Sequence, residues 1–351
     1  PIGNCCSHRD SSARHTKHEG FCSSIREFDT NESVGKTLPR LLAIPVFHPP
    51  IVPNGGVSPP HRRDPRNASR ENSRQVRDDR TLHPMRRLLL LANPSASGFT
   101  GALYRDVMSV LSKDFAVDAE WPNGPDETLK RAARAATDGY AVVAAMGGDG
   151  VVHHAANGAA GTTAALAIIP VGTTNVAARI FGLPRKPVKA AAAIASLPSV
   201  PTRLARIESR SGDETAVQHA VFAIGVGFDA DVVERAERRP HSKLQFGGVH
   251  YAESGVSALI RDWRSRPANL RVDVDGSRFD GVAALTQVHH PYTYFGRVPL
   301  HISRSPVDGL AAVVAEDLEV HRAAGIFTRA VLRRPLGERL GASVYTCFSR
   351  M

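Results

Sequence analysis

Hydrophobic positions fall into three regimes along the chain. From residue 1 to 85 no period of 2 or 3.6 is sustained. Pro-Pro pairs at 49–50 and 59–60, and the polar run His61-Arg62-Arg63-Asp64-Pro65-Arg66-Asn67, interrupt every apolar stretch. Such a segment buries too little apolar area to offset the entropy of ordering, so a disordered basic tail is expected over 1–85. At Arg86 the pattern changes. Arg87-Leu88-Leu89-Leu90-Leu91-Ala92 is a continuous apolar run stopped by Asn93-Pro94, as in a strand buried on both faces. Helical spacing follows over 101–113, then a strand over 115–121 and a helix over 126–137. A second apolar run covers 140–146, and a third, after another helix, covers 166–171. Strands alternating with helices at this spacing predict a wound, parallel α/β domain over 86–200.

Past residue 200 the pattern alternates. Leu270-Arg271-Val272-Asp273-Val274 reads apolar-polar in turn, and Asp275-Gly276 reads as a hairpin turn. Further strands are expected at 216–225, 282–288 and 310–315, with a helix over 251–263. A β-rich antiparallel domain is therefore expected over 201–351.

Composition narrows the class. The chain has 351 residues, 42% hydrophobic and 22% charged, which excludes a collagen-like repeat, a coiled coil and a disulfide scaffold. That length suits two domains and a tail. No run of 18 apolar residues occurs, so no membrane-spanning helix is expected. Prolines and a histidine break the apolar stretch at 41–52, so no secretory signal is expected either. The net charge of +10 favours anionic partners, and 13 Lys/Arg against 9 Asp/Glu place about +4 of it in the first 85 residues. Cys5, Cys6 and Cys22 lie in the tail and Cys347 stands alone, with no Cys-x-x-Cys pair. That usage argues against zinc and for a reducing, cytoplasmic setting. Aromatic content of 6% and the lack of a recognisable module argue against nucleic acid as partner.

Candidate chemistry gathers where the predicted parallel strands end. Gly147-Gly148-Asp149-Gly150 follows one strand and opens a helix. Glycines there admit a ligand close to the backbone, and amides at a helix N-terminus attract anions. Asp149 could position a magnesium ion or accept a proton from an attacking hydroxyl; it could equally cap the helix. Pro170-Val171-Gly172-Thr173-Thr174-Asn175 and Asn93-Pro94-Ser95-Ala96-Ser97-Gly98 end the neighbouring strands. Three polar, glycine-bearing turns on the carboxyl edge of such a sheet suggest a nucleotide phosphate site; three unrelated capped turns are the alternative. Neighbouring His153 and His154 point about 100° apart on a helix, which disfavours joint metal ligation.

The order Asn-Pro-x-x-x-Gly, Gly-Gly-Asp-Gly, then Pro-x-Gly-Thr-x-Asn-x-x-Ala-Arg resembles the catalytic domain of diacylglycerol kinases, a family that includes sphingosine kinases and bacterial lipid kinases. Ala223 to Ala230, Tyr292-Thr293-Tyr294-Phe295-Gly296 and Asp308-Gly309-Leu310 extend the resemblance, which weakens past residue 200. NAD kinases and phosphofructokinases share Gly-Gly-Asp-Gly but not the Gly-Thr-x-Asn-x-x-Ala-Arg segment. The resemblance implies an ATP- and magnesium-dependent kinase that phosphorylates a lipid hydroxyl at a membrane surface, with peripheral attachment and room for a homodimer. A kinase of a soluble substrate such as NAD, or a degenerate nucleotide binder, is the alternative. By the same resemblance, Asn93, Gly147, Gly148, Asp149, Gly150, Val151, Gly172, Thr173 and Asn175 would form the ATP site. Asp149 would be catalytic, and Asp308 with backbone oxygens of Ser305 and Leu310 would hold a structural metal.

The chain also departs from the family pattern. Val151 stands where the family usually has Thr, His154 where it commonly has Glu, and Ala311-Ala312 where Leu-Asp often follows. A late Asp-Gly-Glu strand, whose Glu is the family's proposed general base, does not follow Val344-Tyr345-Thr346-Cys347-Phe348-Ser349-Arg350-Met351. Either the sequence is truncated or frameshifted there or deprotonation falls to Asp149, and the β domain is expected to lack its closing strand, leaving an edge open.

Overall fold

The computed structural model describes residues 23–27, 40–44, 85–237, 262–263, 266–274, 276–303, 309–334, 336 and 342–347. Strands β1 (Ser23–Glu27) and β2 (Arg40–Ile44) come first. The parallel part then runs β3 (Arg86–Ala92), α1 (Gly101–Leu111), β4 (Phe115–Glu120), α2 (Pro125–Ala135), β5 (Val142–Gly147), α3 (Asp149–Ala159), β6 (Ala165–Pro170), α4 (Val176–Ile180) and α5 (Pro187–Ser196). Its four strands pair in parallel in the order β4-β3-β5-β6. Leu88 to Ala92 are each at most 2% exposed, so both faces of β3 are covered, as its unbroken apolar run requires. Leu89, Leu91, Val143 and Ala145 pack with Ala132, Ala135, Val152 and Ala155 of α2 and α3. On the other face Leu88, Leu90, Val142, Ala144 and Met146 meet Val107 and Leu111 of α1 and Ala191 of α5. Edge strand β4 alternates instead, with Phe115 buried and Ala116 exposed.

Three antiparallel sheets follow. β7 (Ala205–Ser211), β8 (Glu214–Ala220), β10 (Leu270–Val274) and β11 (Ser277–Gly281) join β1 and β2 in the order β11-β10-β1-β2-β7-β8. β9 (Ala223–Gly227), β12 (Ala283–Gln287), β15 (Leu310–Ala315) and β16 (Ala342–Cys347) form a second sheet, β16-β15-β12-β9. β13 (Thr293–Phe295) and β14 (Val298–Leu300) form a hairpin, and helices α6 (Phe228–Glu237) and α7 (Val320–Val331) complete the described elements. The hairpin expected at Asp275-Gly276 is present, with Val274 opposite Ser277 and Gly276 at φ +82°.

Two expectations change. The single strand at 216–225 is two strands in different sheets, broken at Val221-Phe222. Val221 leaves the ladder to pack into the α/β core, and the N–H groups of Val288 and His289 both donate to the Phe222 carbonyl. Two five-residue strands, β1 and β2, lie within the stretch expected to carry no order. Their backbone groups pair with β10 and β7, filling the space between those two strands. The remainder of 1–84 lies outside the described residues, as does most of the helix expected over 251–263. Finally, Ala342–Cys347 is a strand, paired with β15 from Leu310↔Cys347 to Ala315↔Ala342. β16 is then the outer strand of this sheet among the described residues.

Candidate active site

Parallel strands deliver their carboxyl ends to one edge, and here that edge collects the three turns. The turns also bond to one another. Asn93 N–H donates to the Met146 carbonyl (3.0 Å), and Gly98 N–H to the Val171 carbonyl (2.9 Å). The N–H groups of Val171 and Gly172 both donate to the Gly147 carbonyl, at 2.9 and 3.3 Å. The hydroxyls of Ser97 and Thr173 lie 3.1 Å apart. This is one hydrogen-bonded surface, which the alternative of three independent turns does not describe.

Two asparagines shape their own turns. Asn93 Oδ1 accepts from Ser95 N–H at 2.9 Å, closing an Asx turn. Asn175 adopts φ 48°, ψ 55°, the left-handed region that asparagine tolerates. Its Oδ1 accepts from Gly172 N–H (2.9 Å) and its Nδ2 donates to the Gly172 carbonyl (2.6 Å). Gly172 itself is dictated by close approach: a Cβ there would lie 2.6 Å from Gly148 Cα and 3.0 Å from Asn175 Oδ1. Gly147 is covered by Val151, whose Cγ2 would meet an added Cβ at 2.7 Å. Val151 thus packs its side chain between Gly147 and the core. Apart from its chain neighbours and its own helix backbone, no atom lies within 4 Å of a Cβ added at Gly150. That leaves room at the first turn of α3, whose N-cap, Gly148, offers no side-chain bond to the opening amides.

Asp149 caps a helix, but not its own. Its Oδ2 accepts from Val176 N–H at 2.9 Å and its Oδ1 from Ala177 N–H at 3.0 Å. The carboxylate thus staples α3 to the start of α4, and its charge is favourable at that helix N-terminus. Of the structural metal set, Ser305 and Asp308 lie outside the described residues, and Leu310 opens β15. Among the described residues no group of three or more His, Cys, Asp or Glu could hold a metal. His153 and His154 sit with ring centroids 5.0 Å apart, and burial holds both below the usual histidine pKa.

The same two helices reach the antiparallel half through residues whose roles no local pattern reveals. Asn157 on α3 brackets His219 of β8, donating to its carbonyl (2.9 Å) and accepting from its N–H (2.6 Å). Arg179 on α4 donates to the carbonyls of Gly296 (2.6 Å) and Arg297 (3.3 Å), and its guanidinium lies 3.6 Å from the Tyr294 ring centroid. Deeper in the β half, the Tyr292 hydroxyl donates to Asp229 Oδ2 at 2.9 Å, and burial raises the pKa of both. At the base of the β13–β14 hairpin, His301 Nδ1 and His290 Nε2 are 3.1 Å apart, and Arg333 Nε donates to His301 Nε2 (3.0 Å). That bond fixes Nε2 as an acceptor, so neutral His301 carries its proton on Nδ1. Burial first, then His290 and Arg333, lower the His301 pKa to about 4.

A histidine held neutral in the fold protonates more readily once unfolded, so acid favours the unfolded chain. The His301 contribution to the melting temperature should fall as pH drops from about 6.5 toward about 4 and level off below that. In His301→Gln, measured by thermal denaturation across that range, the slope should be shallower. An equal slope in both proteins would show that His301 contributes nothing to it.

Comparison with known proteins bears on this edge. The family model described as Diacylglycerol kinase catalytic domain matches residues 87–207. A diacylglycerol kinase of Mycobacterium tuberculosis is 38% identical over 157 residues, covering 44% of this chain and 47% of that protein. A Xanthomonas oryzae protein named "Probable lipid kinase YegS-like" is 28% identical over 173 residues, covering 47% of this chain and 50% of its own length. The chain thus spans about half the length of these curated relatives. A crystal structure of a diacylglycerol kinase from Bacillus anthracis superposes with TM-score 0.55 at 20% identity, covering 74% of this chain and 83% of that one; this shows a shared fold. Residues 87–207, which carry all three bonded turns, are thus the part of the chain that is similar to the diacylglycerol kinase catalytic domain.

Proposed function

We propose that this protein transfers the γ-phosphoryl group of ATP to a lipid hydroxyl, diacylglycerol or a related lipid. The observation that carries the proposal is the bonded array of three turns, with the opening of α3 left clear around Gly150. The amides of α3's first turn and the Thr173 hydroxyl would hold the phosphates. The lipid hydroxyl attacks the γ-phosphorus; the new P–O bond forms as the bond to the β,γ-bridging oxygen breaks. Positioning and charge neutralisation supply most of the rate in such transfers. Asp149 is the one carboxylate of the Gly-Gly-Asp-Gly turn and is held in place by the Val176 and Ala177 amides, so it would be the group that faces a cation and receives the hydroxyl proton. Magnesium fits a site with one carboxylate when phosphates complete its shell, and it would neutralise charge on the transferred group.

The lipid acceptor is supported by the names of the relatives and by the chain's net charge of +10, which suits an anionic membrane surface. Among the described residues no helix is long and apolar enough to cross a membrane, so attachment would be peripheral. The test compares ATP turnover with diacylglycerol in mixed micelles against turnover with NAD in plain buffer. Turnover that rises with the surface fraction of diacylglycerol supports the proposal. Turnover with NAD and no response to micelles would replace it with a soluble acceptor.

A further inference from the structure

Beyond the phosphate turns, we propose that Phe99, Tyr104 and Trp121 form a stacking platform for the base of the bound nucleotide. The proposal rests on the nucleotide reading above. Trp121 directly follows β4, whose Glu120 pairs with Leu91 of β3, so Trp121 lies level with Ala92; Ala92 in turn pairs with Met146 of β5. Two strand spacings therefore separate Trp121 from the end of β5, about 10 Å along the same sheet edge. A ribose bridges a gap of that order between phosphates at Gly147–Gly150 and a base at Trp121. Phe99 joins the two ends, since it directly follows Gly98, whose N–H is bonded to the Val171 carbonyl.

The rings form one cluster. Trp121 meets Phe99 edge-on at 5.6 Å and Tyr104 at 4.6 Å between centroids, and Phe99 and Tyr104 are 6.3 Å apart. Phe99 and Tyr104 also pack against the core beneath them, but core packing does not account for Trp121, which is 43% exposed whereas the chain's other tryptophan, Trp263, is 3% exposed. The loop that carries Trp121 is held in advance. Pro122 and Pro125 restrict it, and Asn123 donates from both its backbone N–H (2.9 Å) and Nδ2 (3.1 Å) to Glu127. A pre-positioned indole loses little entropy when a planar ligand stacks on it. A lipid headgroup is the less favoured occupant: Glu120 and Glu127, bridged by Arg131, flank the cluster and would repel an anionic surface. Stacking uses the face of a base and leaves its edge unread, so the platform should accept adenine and guanine alike.

Tryptophan emission of the full chain tests this, with ADP, GDP and inorganic tripolyphosphate as probes. ADP and GDP should quench emission in the wild type; Trp121→Phe, which keeps Trp263, should show no quench. Tripolyphosphate should displace ADP without quenching. Trp121→Ala should weaken ADP at least tenfold and leave tripolyphosphate affinity unchanged, while Trp121→Tyr keeps most of the ADP affinity. ADP that binds, is displaced by tripolyphosphate, and neither quenches nor notices Trp121→Ala would overturn the platform and leave the phosphate site standing. Absence of ADP and tripolyphosphate binding would remove both. A blue shift with anionic vesicles, and none of the ADP effects, would assign the cluster to lipid and overturn the proposal.

Discussion

Asp149→Asn should lower phosphoryl transfer at least a hundredfold while the protein stays folded. In the wild type the two carboxylate oxygens take the N–H groups of Val176 and Ala177. Asparagine keeps one acceptor and turns its NH2 group toward the other amide, so two donors face each other where one bond had been. Losing such a cap costs about 1 kcal/mol of stability, within the range a folded domain absorbs. The negative charge needed to hold a cation against the phosphates also disappears. Removing a single preorganised electrostatic group at a reacting centre typically costs 100- to 1,000-fold in rate. Circular dichroism and ATP affinity report the fold and the binding step separately from turnover. Full turnover in Asp149→Asn would remove Asp149 from the chemistry and leave it as the staple between α3 and α4.

Gly172→Val should abolish nucleotide binding, with ATP affinity falling at least a hundredfold. Its Cβ would sit 2.6 Å from Gly148 Cα, and backbone cannot yield there as a flexible side chain can. Relieving the clash parts the two turns and breaks the paired bonds from Val171 and Gly172 to the Gly147 carbonyl. Gly150→Ala is the informative companion, because an added methyl there meets no protein atom within 4 Å apart from its chain neighbours and its own helix backbone. Its stability should match the wild type and its ATP affinity should drop, since the methyl would enter the room assigned to phosphate. Wild-type affinity in Gly172→Val, read by calorimetry, would place the nucleotide elsewhere.

Local patterns made the parallel half legible. The Leu88–Leu91 run and its two successors announced strands buried on both faces, and Asn93, Gly147 and Gly172 were visible as turn residues because they directly follow the apolar runs that end at 92, 146 and 171. What joins the turns was not visible. Asp149 reaches amides 27 and 28 positions away, and Asn157 brackets an N–H and a carbonyl 62 positions away. Such pairings depend on the sheet order β4-β3-β5-β6 and on how β8 meets α3, which no window of sequence contains. The break at Val221-Phe222 escaped detection for a related reason. An apolar pair that continues one strand and an apolar pair that crosses into another core read alike until the second core is known. The aromatic cluster likewise joins residues 99, 104 and 121, whose spacing carries no period.

The central claim is that the bonded turns present ATP for transfer to a lipid hydroxyl. It is tested most directly by incubating the full chain with γ-labelled ATP, magnesium and diacylglycerol in mixed micelles, then separating the lipids. Label in phosphatidic acid, absent from an Asp149→Asn control, is the expected result. Bound ATP with no label in any lipid, across a panel of hydroxyl-bearing lipids, would contradict the claim and leave a nucleotide-binding protein.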